Sequence, residues 1–218
     1  MSRLTTAIEA ALAAGDLLRR KLNRPRTVSL KGPRNLVTDA DVAAQTLILK
    51  HLHAAFPEDA VLSEEGLLTA DLTAPGPTWV IDPLDGTSNY ARQLPCFAVS
   101  LGVAEAGAPY LGVIYDPMRR ELFYGERGQG AFVRQGRGRP RRLAVSSVAE
   151  IGAAVLGAGW PREAALRDQA AVLTPRLANV GHSLRLPGSA ALTLAYIAAG
   201  RLDGSFHLNL QAWDVAAG

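Results

Sequence analysis

Residues Trp79 to Tyr90 read WVIDPLDGTSNY, and the reading of this stretch governs the rest of the chain. Trp79-Val80-Ile81 is a short apolar, β-favouring run. It delivers Asp82 and Asp85 to a sharp Pro-Leu-Asp-Gly turn, after which Thr87, Ser88 and Asn89 supply helix-starting groups. A strand that ends in two carboxylates and then opens a helix suits a divalent cation beside a phosphate. Carboxylates are hard oxygen ligands for Mg²⁺, and a helix start offers N–H groups to an anion. The same letters also describe an ordinary Asp-rich turn with an N-cap, so the flanking chain has to discriminate.

Upstream, Leu4 to Leu22 carries apolar residues at helical spacing, including Leu4, Ile8, Ala11, Leu12 and Leu18, and reads as an amphipathic helix ended by Asn23 to Pro25. Thr27 to Lys31 alternates like a strand broken by Gly32-Pro33. Leu36-Val37-Thr38-Asp39 leads into a second helix, about 40–56, and Ala60 to Leu62 is a short strand running into Ser63-Glu64-Glu65-Gly66. A loop rich in Thr, Ala, Pro and Gly covers 69–78. Downstream the pattern turns to β. Residues 97–105, 109–116 and 121–125 read as an antiparallel meander, and 131–133 with 143–145 flank an Arg-rich tip. A strand at 153–156, helices at 162–172 and 188–200, a strand-like run at 201–210 and a closing Gln211-Ala212-Trp213-Asp214-Val215 complete a mixed α/β (α+β) pattern. Such a pattern implies layered helices and sheets.

The chain has 218 residues, 48% of them hydrophobic and 20% charged, which fits a globular protein with a real core. No apolar run is long enough to span a membrane, so no membrane partner is expected. Glu9 and Asp16 interrupt what would be the apolar part of a signal peptide. The single cysteine, Cys96, excludes an internal disulfide and a thiolate zinc site, and fits a cytoplasmic location. The net charge of +3 comes largely from Arg134, Arg137, Arg139, Arg141 and Arg142. With Phe132 as the only aromatic nearby, this tip reads as solvated surface, and no nucleic-acid partner is expected.

Carboxylates recur where strands or loops meet helices: Asp39 and Asp41, Glu64 and Glu65, Asp82 and Asp85, and Asp214. Converged, they would form a strongly self-repelling pocket that divalent cations relieve. Spacing alone leaves both a pocket and scattered surface acids open.

WVIDPLDGTSNY closely resembles the signature of the inositol monophosphatase family of metal-dependent, lithium-sensitive phosphatases. Leu36-Val37-Thr38-Asp39-Ala40-Asp41, Ser63-Glu64-Glu65 and Trp213-Asp214-Val215-Ala216-Ala217-Gly218 are similar to its other motifs in order and spacing, as are Gly188-Ser189-Ala190-Ala191-Leu192 and Gly200-Arg201-Leu202-Asp203-Gly204. The resemblance spans essentially the whole chain. It implies the layered α/β/α/β/α sugar-phosphatase fold, a first domain over 1–145 and a second over 146–218, and a homodimer. It further implies that Glu64, Asp82 and the carbonyl of Leu84 hold a first Mg²⁺. Asp82 then bridges to a second, held also by Asp85 and Asp214, and Glu64 reaches a weaker third through water, with Glu65 supporting this edge. Asp41 and Thr87 are implied to orient and deprotonate the attacking water together with Glu64. Gly86 and Thr87 are implied to offer N–H groups to the phosphate, with Lys31 near the metal waters.

The implied activity is Mg²⁺-dependent hydrolysis of a small phosphorylated metabolite, inositol monophosphate first. His207 stands where the family often has Glu contacting a substrate hydroxyl, which opens 3′-phosphoadenosine 5′-phosphate, fructose 1,6-bisphosphate or histidinol phosphate as substrates. A histidine without any ligand role is equally open. Arg185 reads either as a substrate contact or as a structural ion pair. A metal- or phosphate-binding relative with little turnover is the non-enzymatic alternative. Family domains usually carry further elements after the closing Trp-Asp motif. The resemblance therefore leaves room for missing C-terminal elements and an Asp214 near a frayed end.

Overall fold

The computed structural model describes residues 1–24, 27–32, 35–66 and 70–218, with the backbone alone at Lys31 and Asn35. Pro33 of the expected strand break, Thr69 of the expected loop and the side chain of Lys31 lie outside the described residues. In chain order, α1 (Arg3–Lys21) precedes a hairpin of β1 (Val28–Gly32) and β2 (Asn35–Thr38), then α2 (Asp39–Ala55), β3 (Ala60–Ser63), β4 (Pro77–Asp85) and a short α3 (Thr87–Ala91). There follow β5 (Ala98–Glu105), β6 (Ala108–Asp116), β7 (Glu121–Glu126), β8 (Gly130–Gln135) and β9 (Arg141–Arg142). A 3₁₀ turn leads to β10 (Val155–Ala158), α4 (Ala164–Val180), β11 (Ser183–Arg185), α5 (Ala190–Ala198), β12 (Gly204–Phe206) and α6 (Ala212–Val215).

β3 to β9 form one seven-stranded sheet in sequence order, parallel between β3 and β4 and antiparallel elsewhere. Strand alternation sends Val99, Leu101 and Val103 of β5, with Leu111, Val113 and Tyr115 of β6, to the face covered by α1 and α2. α1 starts at Ser2, whose hydroxyl accepts from the Thr5 N–H at 3.1 Å, and buries Ala7, Ala10, Ala11, Ala14 and Leu18. The opposite face presents Ala98, Ile114, Phe123 and Val133 to Ala191, Leu192 and Ala195 of α5. Beyond α5 lies an all-parallel sheet ordered β11-β10-β12, with α4 packed against β10 and β11. The layers are thus α/β/α/β/α.

Several boundaries differ from the sequence reading. β4 does not stop at a turn after Ile81. It runs on to Asp85 through an irregularity between Asp82 and Asp85, where Pro83 owes the ladder no N–H. The strand beside the Arg-rich tip is Arg141–Arg142 rather than 143–145, with the Leu143 N–H making one last bond to the Ala131 carbonyl of β8 at 2.8 Å. β10 begins two residues later than the expected strand at 153–156, after the 3₁₀ turn at Ile151–Ala153. α4 extends to Val180 through Pro175, past the expected end at 172. Of 201–210 only Gly204–Phe206 pairs. Asp203 instead caps β10, taking the Val155 N–H on its carboxylate at 2.6 Å, and Asn209 turns the chain with φ +60°.

α6 is short yet firmly held. The Gln211 N–H donates to the Asp214 carboxylate at 2.6 Å. The chain from Ala216 lies directly on bare backbone: a Cβ at Gly112 would stand 2.1 Å from the Ala217 carbonyl oxygen, and one at Gly102 would stand 2.9 Å from the Ala216 Cβ. The expected fraying of Asp214 is therefore not observed. Among the described residues no helix is long and apolar enough to cross a membrane.

Candidate active site

β4 is buried along almost its whole length, so the two carboxylates at its end are carried into the interior: Asp82 is 1% exposed and Asp85 8%. The Leu84 N–H donates to Asp82 at 3.0 Å, which fixes the irregular segment. Gly86 then adopts φ +96°, a left-handed conformation in which a Cβ would press against the Cys96 carbonyl oxygen at 2.9 Å. The chain thereby turns into α3 with Thr87 as its first residue. β3 runs parallel to β4 and pairs Ser63 with Ile81, and the Glu64 N–H continues that ladder to the Ile81 carbonyl at 3.2 Å. This puts Glu64 alongside Asp82. α6 brings Asp214 from the other end of the sequence.

Asp82, Asp85 and Asp214 each offer a carboxylate oxygen within 4.8 Å of the others. Burial pushes the Asp82 carboxyl well above the ordinary range, and the charges of Glu64, Asp85 and Asp214 push it further. Burial likewise raises Asp85 to about 6, although the Ser189 hydroxyl and the Ala191 N–H (2.8 Å) both donate to it. Asp214 is raised by burial, opposed by the Gln211 N–H and by the nearby charges of Arg162 and His207. Converging hard oxygens whose ionisation is costly without a counter-charge match a divalent cation. The residues present fit such an ion.

Next to this cluster lies a second arrangement. Asp41 sits in the first turn of α2, 1% exposed, and accepts from the Thr38 hydroxyl at 2.5 Å and the Thr38 N–H at 2.8 Å as part of a capping box. Its other oxygen is 3.1 Å from the Thr87 hydroxyl, which also stands 3.1 Å from the Leu84 carbonyl. Burial raises the Asp41 carboxyl, and the donors from Thr38 and Thr87 partly offset this. A hydroxyl that donates to Asp41 keeps its lone pairs for a water molecule.

A separate wall comes from the parallel sheet. His207 follows β12 and packs on Gly159, where a Cβ would stand 2.3 Å from Nδ1. Among the described residues its Nε2 is buried without a hydrogen-bond partner, and burial lowers its basicity against the opposing charge of Asp214. Arg162, in the loop after β10, brings Nη1 to 3.7 Å from Glu64 Oε1.

The structure thus brings together Asp41, Thr87, Leu84, Glu64, Asp82, Asp85, Asp214 and His207. Gly86 lies at the turn between Asp85 and Thr87, and Glu65 follows Glu64 in the turn after β3. Arg185 is exposed at the end of β11, its guanidinium on the Leu184 carbonyl at 3.0 Å, and no acidic partner meets it among the described residues. The Cys96 thiol is raised by burial, the opposite of an activated nucleophile. Sequence reasoning missed the anchors of Asp85. Ser189 ahead of an apolar helical run was a legible N-cap, but nothing local said whose carboxylate it would hold. It missed Arg162 as well.

A model of the inositol monophosphatase family matches residues 1–218. Nus factor SuhB of Escherichia coli strain K12 is 41% identical over 219 aligned positions, covering 99% of this chain and 79% of its own length. Among solved structures, the extragenic suppressor protein suhB from Bartonella henselae superposes with a TM-score of 0.90 at 36% identity, covering 98% of this chain and 81% of the other. Inositol monophosphatase from Anabaena (Nostoc) sp. PCC 7120 superposes with a TM-score of 0.83, also at 36% identity, covering 98% and 77%. The name Nus factor overturns the expectation that nucleic acid is not a partner. The physical ground for that expectation fails too. Tyr124 stacks on Phe132 across the β7–β8 ladder with ring centroids 5.7 Å apart, and Arg142 stands opposite Phe132 in register. The strands that lead to the tip therefore carry a half-buried aromatic pair that counting neighbours along the sequence could not show.

Proposed function

The chain belongs to the inositol monophosphatase family, and from that premise we propose that it is a Mg²⁺-dependent phosphomonoesterase of small phosphorylated metabolites, with inositol monophosphate as the reference substrate. The observation that carries this reading is the convergence of Asp82, Asp85 and Asp214 within 4.8 Å, next to the Asp41–Thr87 pair. The solved inositol monophosphatase of the same fold supports it.

In this reading Glu64, Asp82, Asp85, Asp214 and the Leu84 carbonyl hold Mg²⁺, which neutralises phosphate charge and lowers the pKa of water when bound. The remaining work falls to the chain. Thr87 takes a hydrogen bond from the attacking water and passes its own proton toward Asp41, whose raised basicity suits a proton acceptor. Thr38 keeps the Asp41 carboxyl aimed at Thr87 through its two donors. The N–H groups of Gly86 and Thr87 face the charge developing on the phosphoryl oxygens, and His207 Nε2 meets the alcohol half of the substrate. Glu65 supports the Glu64 edge. Residues 1–145 and 146–218 act as two domains that close the site between them. We assign the protein to the cytoplasm, consistent with its lone cysteine.

A second reading is a metal- or phosphate-binding relative with little turnover, and the Nus factor name of its relatives favours it. The deciding measurement is phosphate release, with and without Mg²⁺, from inositol 1-phosphate, 3′-phosphoadenosine 5′-phosphate, fructose 1,6-bisphosphate and histidinol phosphate. Mg²⁺-dependent release is expected. Absence of release from all four, by protein whose melting temperature rises with Mg²⁺, would replace the enzymatic reading with the second one.

A further inference from the structure

The wall opposite the carboxylates has an unusual charge for a pocket taken to recognise a neutral polyol. It is built by the carboxyl ends of β10 and β12, which run parallel and are tied together where the Gly159 N–H donates to the Phe206 carbonyl at 3.0 Å. Two groups project from these ends toward the acidic cluster. One is His207, whose Nε2 is buried without a partner among the described residues. The other is Arg162, 3.7 Å from Glu64, with half of its side chain exposed. The acid next to Arg162 in sequence, Glu163, is turned away and accepts from the Asn209 amide at 2.8 Å. The wall therefore offers a guanidinium and an imidazole. A carboxylate that would receive a substrate hydroxyl is not among the groups described there.

Resting on the phosphatase reading, we infer that Arg162 is a specificity-determining residue that selects phosphomonoesters whose alcohol half carries a second anionic group. The reacting phosphate belongs at the Asp82–Asp85–Asp214 end, so its alcohol half extends toward Arg162 and His207. A cation held on Glu64 would compete with Arg162 for that carboxylate. The half-exposed Arg162 side chain presents its planar fork beside the acidic cluster, where it matches a phosphate, sulfate or carboxylate in a two-pronged hydrogen bond. A neutral hydroxyl gains little from it. His207 Nε2 supplies a donor or acceptor for a hydroxyl on the same half.

The test uses matched substrates that differ only in the second phosphate: fructose 1,6-bisphosphate against fructose 1-phosphate, and 3′-phosphoadenosine 5′-phosphate against adenosine 3′-phosphate. Wild type, Arg162→Ala and Arg162→Lys are compared with Mg²⁺ present, and each is checked by a cooperative melt. In at least one pair, wild type should prefer the bisphosphate. Arg162→Ala should lose about tenfold or more in kcat/KM on that bisphosphate, mainly through KM, and less than about twofold on its partner. Arg162→Lys should recover part of the loss. The Mg²⁺ concentration that half-saturates the rise in melting temperature should stay the same or fall in Arg162→Ala, because a competitor for Glu64 has gone. Equal losses on both members of each pair, a wild type indifferent to the second phosphate, or weakened Mg²⁺ binding in Arg162→Ala would each overturn the inference while leaving the phosphatase reading intact. No release from any of the four substrates would overturn both.

Discussion

Asp85 is held by neighbours that tolerate its neutral form. The Ser189 hydroxyl and the Ala191 N–H donate to one of its oxygens, and an asparagine oxygen would accept both. Asp85→Asn should therefore fold normally. Without metal at pH 7 its melting temperature should equal or exceed that of wild type, because repulsion with Asp82 and Asp214 is relieved. With metal, losing one ligand charge should lower kcat/KM by about a hundredfold or more. Steady-state rates and Mg²⁺-dependent melts check both halves, and near-wild-type turnover would remove Asp85 from the metal site. At this scale the carboxylates were legible because each stands where a strand or loop meets a helix. The Asp41–Thr87 pair became visible only through resemblance, since its members lie on separate elements. Arg162 was illegible: a guanidinium reaching Glu64 from a loop nearly a hundred residues away leaves no local pattern.

Glycines at Gly102 and Gly112 decide how one element sits on another. Each is the bare point in an alternating strand, and the chain after α6 lies in the gap. Gly112→Ala should push Ala217 and with it α6 off the sheet. The expected stability loss is about 1–3 kcal/mol, the usual cost of overpacking. The larger effect should be on Mg²⁺, whose half-saturating concentration in thermal melts should rise about tenfold or more as Asp214 leaves Asp82 and Asp85. An unchanged Mg²⁺ response in a destabilised Gly112→Ala protein would mean that α6 does not depend on this floor. The strands themselves were readable from period-two alternation, and the first two helices from their apolar stripes. The errors fell where side chains replace regular pairing: the irregular end of β4 around Pro83, the Asp203 cap on β10, and α4 continuing through Pro175. Glycine inside a strand signals a close approach, but the approaching segment, about a hundred residues further on, could not be inferred from it.

For the molecule as a whole, the site makes metal-free stability depend on pH in a defined direction. The folded-state values of Asp41, Asp82, Asp85 and Asp214 are raised, Asp85 to about 6, against 3.8 for the ordinary group. The folded protein thus holds more protons than the unfolded chain above pH 4. This contribution is fully present below the unfolded value and is lost as pH rises through the folded one. His207, whose value is lowered, works in the opposite direction as a single group. Chelator-treated protein should therefore melt at lower temperature at pH 7 than at pH 5, and saturating Mg²⁺ should largely abolish the difference by binding the native state. A metal-free melting temperature that climbs across this range would contradict the acidic cluster as described. The layered architecture was legible because helices, a meander and then mixed elements follow one another in distinct blocks. The stacking of Tyr124 on Phe132 was not, because it arises only when β7 and β8 meet.

The late position of α6 also sets an order of events during protein synthesis. Glu64, Asp82 and Asp85 leave the ribosome together, whereas Asp214 follows more than a hundred residues later. At about 5–20 residues per second, that interval is on the order of ten seconds. Until it ends, the nascent chain carries a half-built acidic pocket without its last ligand. Arrival of α6 brings Asp214 to Asp82 and Asp85, so acquisition of a divalent ion waits for a ligand made long after its partners.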